Sequence, residues 1–352
     1  MASFTSILSA GSASLLTTTL KGVSRTFYLT LRVLPATLRT PVGLAYLFAR
    51  AADTIADTRL IPKPDRLKHL ESFRQAIRSG DLAPVRMIRE ALTGPQQNPA
   101  ERNLLSRLED CFRLSETLAP ADRDRIRTLL LTITQGMVMD LTTFPGEDEG
   151  RLAALETREA LDRYTYYVAG CVGEFWTEMA VAHRPALARW DLAEMKRRGV
   201  RFGKGLQMTN ILRDIPRDLR IGRCYLPRQE LAALGLTPED LLDPRAAVRA
   251  RPLIRELLAT TLAHYDAGWS YTLAIPRAEP RLRLACAWPL FIGLRTLALV
   301  EHAEDLLDPA AQLKVPRTTV YGILLGSAAC AWSDPALTSA FTRLRAPLRR
   351  VP

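Results

Sequence analysis

The chain has 352 residues, with 48 Lys+Arg against 37 Asp+Glu and a formal charge of +11. Its 47% apolar content excludes a disordered chain, and the length admits two domains or one large helical one, at about 100–200 residues per domain. Five widely spaced cysteines, Cys111, Cys171, Cys224, Cys286 and Cys330, contain no C-x-x-C pair, which argues against a disulfide framework or a zinc site and fits a reducing cytosolic setting.

Met1 to Leu20 is rich in Ser, Thr and Ala and carries no basic residue before Lys21, so the expectation is that it is not a secretory signal. Helical periodicity then runs along the chain. Arg66–Ser79, Ala100–Leu118, Asp122–Leu141 and Arg251–Trp269 carry apolar residues at i, i+3, i+4 and i+7 between charges. Short turn signals separate such segments, at Ile61-Pro62-Lys63-Pro64, Gly94 to Pro99, Phe144-Pro145-Gly146 and Ile275 to Pro280. No window alternates as a half-buried strand does. Near the C-terminus the apolar run Val320 to Trp332 has 13 residues, short of the roughly 20 that a spanning helix needs. The expectation is an all-α chain without a transmembrane span: an N-terminal segment 1–14, one helical-bundle domain 15–335, and a basic tail 336–352. There is no G-x-G-x-x-G and no P-loop pattern, and His69, His183, His264 and His302 are isolated.

Two aspartate pairs stand four residues apart, Asp53 with Asp57 and Asp214 with Asp218. On a helix each pair shares a face, with Cβ atoms about 5–6 Å apart. Their neighbours are apolar (Leu47, Phe48, Ala51 and Ala52; Ile211, Leu212 and Ile215), and ionised carboxylates on a half-buried face need cations or metal. Mg2+ suits such pairs because it takes a couple of carboxylates and fills its other positions with water and phosphate oxygens. Spacing alone is weak, since 19 Asp in 352 residues produce about one such pair by chance, and two solvated faces remain an open alternative. Arg25, Arg50, Arg213 and Arg223 add cations around these motifs, and Arg binds phosphate through a bidentate fork. Pro216 lies inside the second pair and predicts a kink or helix end near Ile215, leaving Asp218 less secure than Asp214. In Tyr164 to Gly173, Gly170 and Gly173 each cost about 1 kcal/mol of helix propensity. Close approach of a helix or a ligand explains that cost; core packing explains the aromatics equally well.

Taken in order, Ser24-Arg-Thr-Phe27, Tyr46 to Asp57, Gln135-Gly-Met137 with Asp140, Tyr164 to Gly173, Asn210 to Asp218 and Gly222 to Pro227 resemble the head-to-head trans-isoprenyl diphosphate synthases: squalene, dehydrosqualene and phytoene synthases. The resemblance implies an all-α isoprenoid-synthase fold with the two aspartate pairs facing each other across a cavity. It implies Mg2+ on Asp53, Asp57, Asp214 and Asp218. Arg25, Arg50, Arg213 and Arg223 would hold a prenyl diphosphate, Asn210 would orient the metal shell, and Tyr164 and Tyr167 would assist ionisation or proton removal. Asp-Thr-Ile-Ala-Asp, Ala285-Cys-Ala-Trp-Pro289 and Lys314-Val-Pro316-Arg317 resemble the squalene enzymes in particular, which implies farnesyl diphosphate as substrate and NADPH as reductant. The matching cofactor residues are Ser24, Arg25, Phe27, Tyr46, Arg50, Lys314 and Arg317. Two features depart from that pattern: Pro316 interrupts the late basic pair, and Leu290 replaces a polar Gln of the animal enzymes. Products formed without reduction (dehydrosqualene, phytoene or hydroxysqualene) are the alternative, and an inactive assembly factor is a remote one. Separated Arg motifs argue against nucleic acid. Arg343, Arg345, Arg349 and Arg350 suggest instead a cytoplasmic protein resting peripherally on an anionic membrane.

Overall fold

The computed structural model describes residues 14–24, 27–311 and 313–348. Arg25, the Phe27 side chain, Arg349 and Arg350 lie outside the described residues. In chain order, a π-helical turn at Leu15–Thr19 leads into α1 (Leu20–Ser24), followed by α2 (Phe27–Val33), α3 (Ala36–Asp57), α4 (Lys63–Ser79), α5 (Ala83–Thr93), α6 (Pro99–Ser106), α7 (Leu108–Glu116) and α8 (Pro120–Thr143). Then come β1 (Ala153–Ala154), α9 (Arg158–Thr165), a π-helical segment Tyr166–Gly170, α10 (Cys171–His183), α11 (Leu192–Arg220), β2 (Arg223–Cys224) and α12 (Arg228–Ala233). The last helices are α13 (Ala247–Ala274), α14 (Pro280–His302), α15 (Arg317–Ala328) and α16 (Asp334–Arg345). Cα packing divides the chain into two compact units, Met1–Leu141 with Glu178–Pro185, and Thr142–Thr177 with Ala186–Pro352.

The all-α expectation holds, apart from a two-residue parallel pairing of β1 with β2. The segment read as Ala100–Leu118 is two helices, α6 and α7. They part at Arg107 (φ −106°, ψ 12°), whose guanidinium reaches Ser14 Oγ at 3.0 Å, Thr19 Oγ1 at 3.2 Å and Asp110 at 3.3 Å. Proline does not end α11, contrary to the expected break near Ile215. The helix continues through Pro216 to Arg220, with Ile215, Pro216 and Leu219 all buried, and this burial outweighs the hydrogen bond that proline removes.

In the first unit, α3 buries Leu44, Leu47, Phe48, Ala51, Ala52 and Ile55. Phe48 packs edge-on against Phe112 of α7 with centroids 4.9 Å apart, and Phe73 of α4 completes the cluster. In the second unit, α11 packs on α13, where the buried hydroxyls of Thr209 and Tyr265 meet at 2.7 Å. Thr177 of α10 meets Tyr271 of α13 at 3.1 Å. Trp269 of α13 stacks on Phe341 of α16 with centroids 4.5 Å apart. Helix α14, longer than the run noted at Val320–Trp332, is long and apolar enough to cross a membrane by length and composition, yet 61% of its most apolar window is buried inside the protein.

Gly173 has a structural cause. A Cβ there would fall 1.9 Å from the Gly199 carbonyl oxygen, and one at Gly203 would fall 2.2 Å from that of Ala169. Backbone meets backbone between α11 and the segment opening α10, so the glycines serve helix approach, one of the two causes the sequence left open. Gly173→Ala should therefore destabilise the fold by about 3 kcal/mol through overpacking. Gly94→Ala, with nothing within 4 Å of the added carbon, should stay within about 0.5 kcal/mol of wild type. Urea unfolding of the two variants checks the contrast.

Candidate functional site

The first unit carries one aspartate pair at the end of α3. Asp53 is half-buried and Asp57, the last helical residue, is exposed. Arg50, one turn earlier, forms an ion pair with Asp53, and its other branch reaches Glu101 at 2.6 Å. Burial pushes the Arg50 pKa down, but the charges of Asp53 and Glu101 overcome it and hold the guanidinium above its ordinary value. Glu101 was not legible as a site residue, because it lies 51 positions from Arg50 and nothing local to it signals the contact. Thr54 sends its hydroxyl back to the Arg50 carbonyl at 2.9 Å. On α8, Gln135 is exposed and accepts from Arg74 at 3.3 Å, while Asp140 is buried.

The second unit carries the other pair on α11. Asp214 and Asp218 are both half-buried, and Asn210 is exposed one turn earlier. Arg213 Nε donates to Asp214 at 2.8 Å. That hydrogen bond raises the Arg213 pKa against the opposing effect of burial, and the charges of Asp214 and Asp218 add to it. A small cleft is lined by Ile211, Ile215, Asp218, Leu219, Arg223, Cys224, Tyr225 and Leu226, so Asp218 and Arg223 both line it. Tyr225 stacks on Tyr164 with centroids 4.8 Å apart, and their hydroxyls are 3.2 Å apart. The sequence had singled out Arg223 in this segment and passed over Tyr225, two residues further on. Tyr164 is buried and Tyr167 half-buried. Between them Tyr166 donates to Glu174 at 2.8 Å, and burial together with that contact pushes its phenol up to about 12. A π-helical turn at Tyr166–Gly170 shifts the register of side chains there, as such insertions often do at functional sites.

The donor set fits a hard divalent cation. Among the described residues no three His, Cys, Asp or Glu side chains converge, so each pair suits an ion that takes one or two carboxylates and completes its shell with ligand oxygens. The residues matched to a nicotinamide nucleotide are more mixed. Ser24 is buried with its hydroxyl on the Leu20 carbonyl at 2.5 Å, and Tyr46 donates to the Val23 carbonyl at 3.4 Å. Lys314 and Arg317 are exposed, on either side of Pro316, the N-cap of α15, and their chemistry suits a phosphate. Of the histidines, His183 bonds Asp122 at 2.8 Å, and burial pushes His264 down to about 4.

Residues 20–319 match the family model of squalene/phytoene synthases. The squalene synthase of Eremothecium gossypii is 27% identical over 308 residues, which are 87% of this chain and 66% of that protein. The presqualene diphosphate synthase of Zymomonas mobilis is 29% identical over 249 residues, 70% of each. A solved structure of TcSQS with the ligand BPH1237 superposes with a TM-score of 0.76 at 24% identity, covering 96% of this chain and 92% of that one. This chain thus has the fold of that enzyme and spans slightly less than two thirds of the length of the first squalene synthase it matches.

Because Arg50 serves two carboxylates from a side chain only 31% exposed, Arg50→Met should cost about 1–2 kcal/mol of stability. The Arg50 pKa is raised from an already basic value, so its contribution is fully present below that range and the cost should be equal at pH 6 and pH 9. Urea titrations at the two pH values read this out.

Proposed function

Since the chain belongs to the squalene/phytoene synthase family, we propose that it is a prenyltransferase that condenses two molecules of farnesyl diphosphate head to head and reduces the product to squalene. The observation that carries this reading is a repeated arrangement: in each unit an i,i+4 aspartate pair rides a helix, with one guanidinium bonded to its first carboxylate. Asp53, Asp57, Asp214 and Asp218 would hold Mg2+, which would supply charge stabilisation to the departing diphosphate. Arg50, Arg213 and Arg223 would take the diphosphate oxygens. In the first step the allylic C–O bond breaks and diphosphate leaves with the electron pair. The double bond of the second prenyl chain gives its pair to the allylic carbon, and loss of a proton closes a cyclopropane that retains the second diphosphate. Tyr164, buried and stacked on Tyr225, would present an aromatic wall to the cation, and Tyr167 would lie beside it to relay the proton. Apolar neighbours such as Ile211 and Ile215 would keep water from the cation.

Reduction by NADPH is the finer part of the proposal and rests on Lys314 and Arg317. A product released without reduction is the second reading. It is favoured by the helix start at Pro316, which separates the two cations, and by Leu290, which is wholly buried where a polar residue would face a ligand. Purified protein, farnesyl diphosphate and Mg2+ should yield squalene only when NADPH is added, with Asp53→Asn inactive and folded. Dehydrosqualene with or without NADPH, or turnover of a C20 substrate only, assigns the second reading. Full activity in Asp53→Asn would remove both.

A hydrocarbon product also needs an apolar destination, and we propose a peripheral, cytoplasmic position on an anionic bilayer. The basic tail is a weaker support than the sequence suggested, because Arg345 is paired with Asp266 at 3.0 Å. Better support comes from Tyr321, Leu325 and Trp332, which are 56%, 77% and 59% exposed. They lie in a stretch without Asp or Glu from 313 to 333 that begins with exposed Lys314 and Arg317, a composition suited to anionic headgroups over lipid. Leu325→Glu with Trp332→Glu should abolish co-sedimentation with phosphatidylglycerol vesicles and leave binding to farnesyl diphosphate intact. If wild type ignores vesicles but self-associates, and the double variant is monomeric, the face belongs to a second copy instead.

A further inference from the structure

We propose that Arg66 is a positioning residue for the first aspartate pair, a buried guanidinium that holds the last turn of α3 so that Asp53 and Asp57 present one face to a divalent cation. The inference rests on the metal reading above and concerns a residue outside every motif noted in the sequence.

Helix α3 ends on the residue that must work. The last four carbonyls of a helix have no intrahelical donor, and its C-terminal end carries a partial negative charge. Adding Asp53 and Asp57 to that end concentrates negative charge where it is least favoured. Helix α11 meets the same difficulty with its own Arg217 and Arg220 in the last turn, but α3 has no basic residue there.

Arg66 supplies the missing cation from another helix. Its side chain is 0% exposed, and Nη1 donates to the Ala56 carbonyl at 3.1 Å, one residue before Asp57. The Thr58 N–H donates to the Thr54 carbonyl at 3.2 Å, so two carbonyls of the final turn are held, one of them by a charged donor. Arg66 is itself fixed in the first turn of α4, where its N–H bonds Pro62 at 3.1 Å. Leu70 and Phe73 on the same helix are wholly buried. The guanidinium therefore stands on a rigid post and clasps the connection 58–62. Arg50 acts on the Asp53 carboxylate directly, whereas the Arg66 bond to Ala56 acts through the backbone of the last turn.

The test measures Mn2+ binding to the full-length protein by water-proton relaxation, with Asp53→Asn as reference, together with amide hydrogen exchange over residues 55–58. Arg66→Met should weaken Mn2+ binding about tenfold and speed exchange over 55–58 while helical circular dichroism is retained. Arg66→Lys should recover part of the affinity, because it restores the charge without the planar donor. Equal or tighter Mn2+ binding in a folded Arg66→Met, or unchanged exchange at 55–58, overturns the proposal. If Arg66→Met does not fold, Arg66→Lys decides it: wild-type affinity and exchange there refute a role for the guanidinium geometry. Failure of the metal reading shows differently, as Mn2+ binding by Asp53→Asn equal to wild type. The exchange measurement then still decides whether Arg66 holds the turn.

Discussion

Placing two carboxylates on one face near the end of a helix is the constraint around which both motifs are organised. Each pair repels itself, faces the negative end of a helix, and has apolar residues for neighbours. The protein meets this with arginines set at different ranges. Arg213 is adjacent in sequence to its partner, Arg50 is one turn away, and Arg66 reaches in from the next helix. These contacts hold the first carboxylate of each pair and the turn that ends α3 in place. A site evolved for stability alone would have placed apolar residues there, because a half-buried ion pair gains little over good packing.

The second unit depends on a different contact, between backbones. Gly173, Gly199 and Gly203 let α11 approach the π-helical segment so closely that no Cβ fits. This ties Tyr164, Tyr166 and Tyr167 to the helix that carries Asn210, Arg213, Asp214 and Asp218. The two motifs are about 50 residues apart in sequence, yet one rigid seam fixes the distance between the aromatic group and the carboxylates. The hydroxyl pair of Thr209 with Tyr265 holds α11 against α13 on a different face.

Helices and motif positions were legible in the sequence because both are local: apolar periodicity, turn signals, and Asp at i,i+4. What stayed hidden was set by tertiary partners. Pro216 reads as a helix breaker, and only the burial of Ile215, Pro216 and Leu219 shows why α11 runs on. Arg107 looks like any charged helix residue until its contacts to Ser14 and Thr19 appear, and these end one helix and begin another. Glu101 and Arg66 carry no local signature, since each acts on a group at least ten residues away. Tyr225 was within a recognised motif, but its stacking on Tyr164 depends on β1 pairing with β2, a two-residue contact below the threshold of any strand pattern.

Charge composition takes on a sharper meaning from these contacts. The chain has 42 Arg and only six Lys, a bias that surface solvation does not require, since Lys solvates a helix equally well. Arg66 and Arg283 are wholly buried and Arg74 nearly so, and each donates to carbonyls, hydroxyls or a carboxylate inside the protein. A planar guanidinium is weakly hydrated and offers five donors, so it can enter the interior and serve several acceptors at once, where an ammonium loses its hydration shell for three. The +11 charge is therefore partly structural scaffolding turned inward. A Lys-for-Arg exchange at these positions would preserve the net charge and lose the geometry on which α3, α8 and α16 depend.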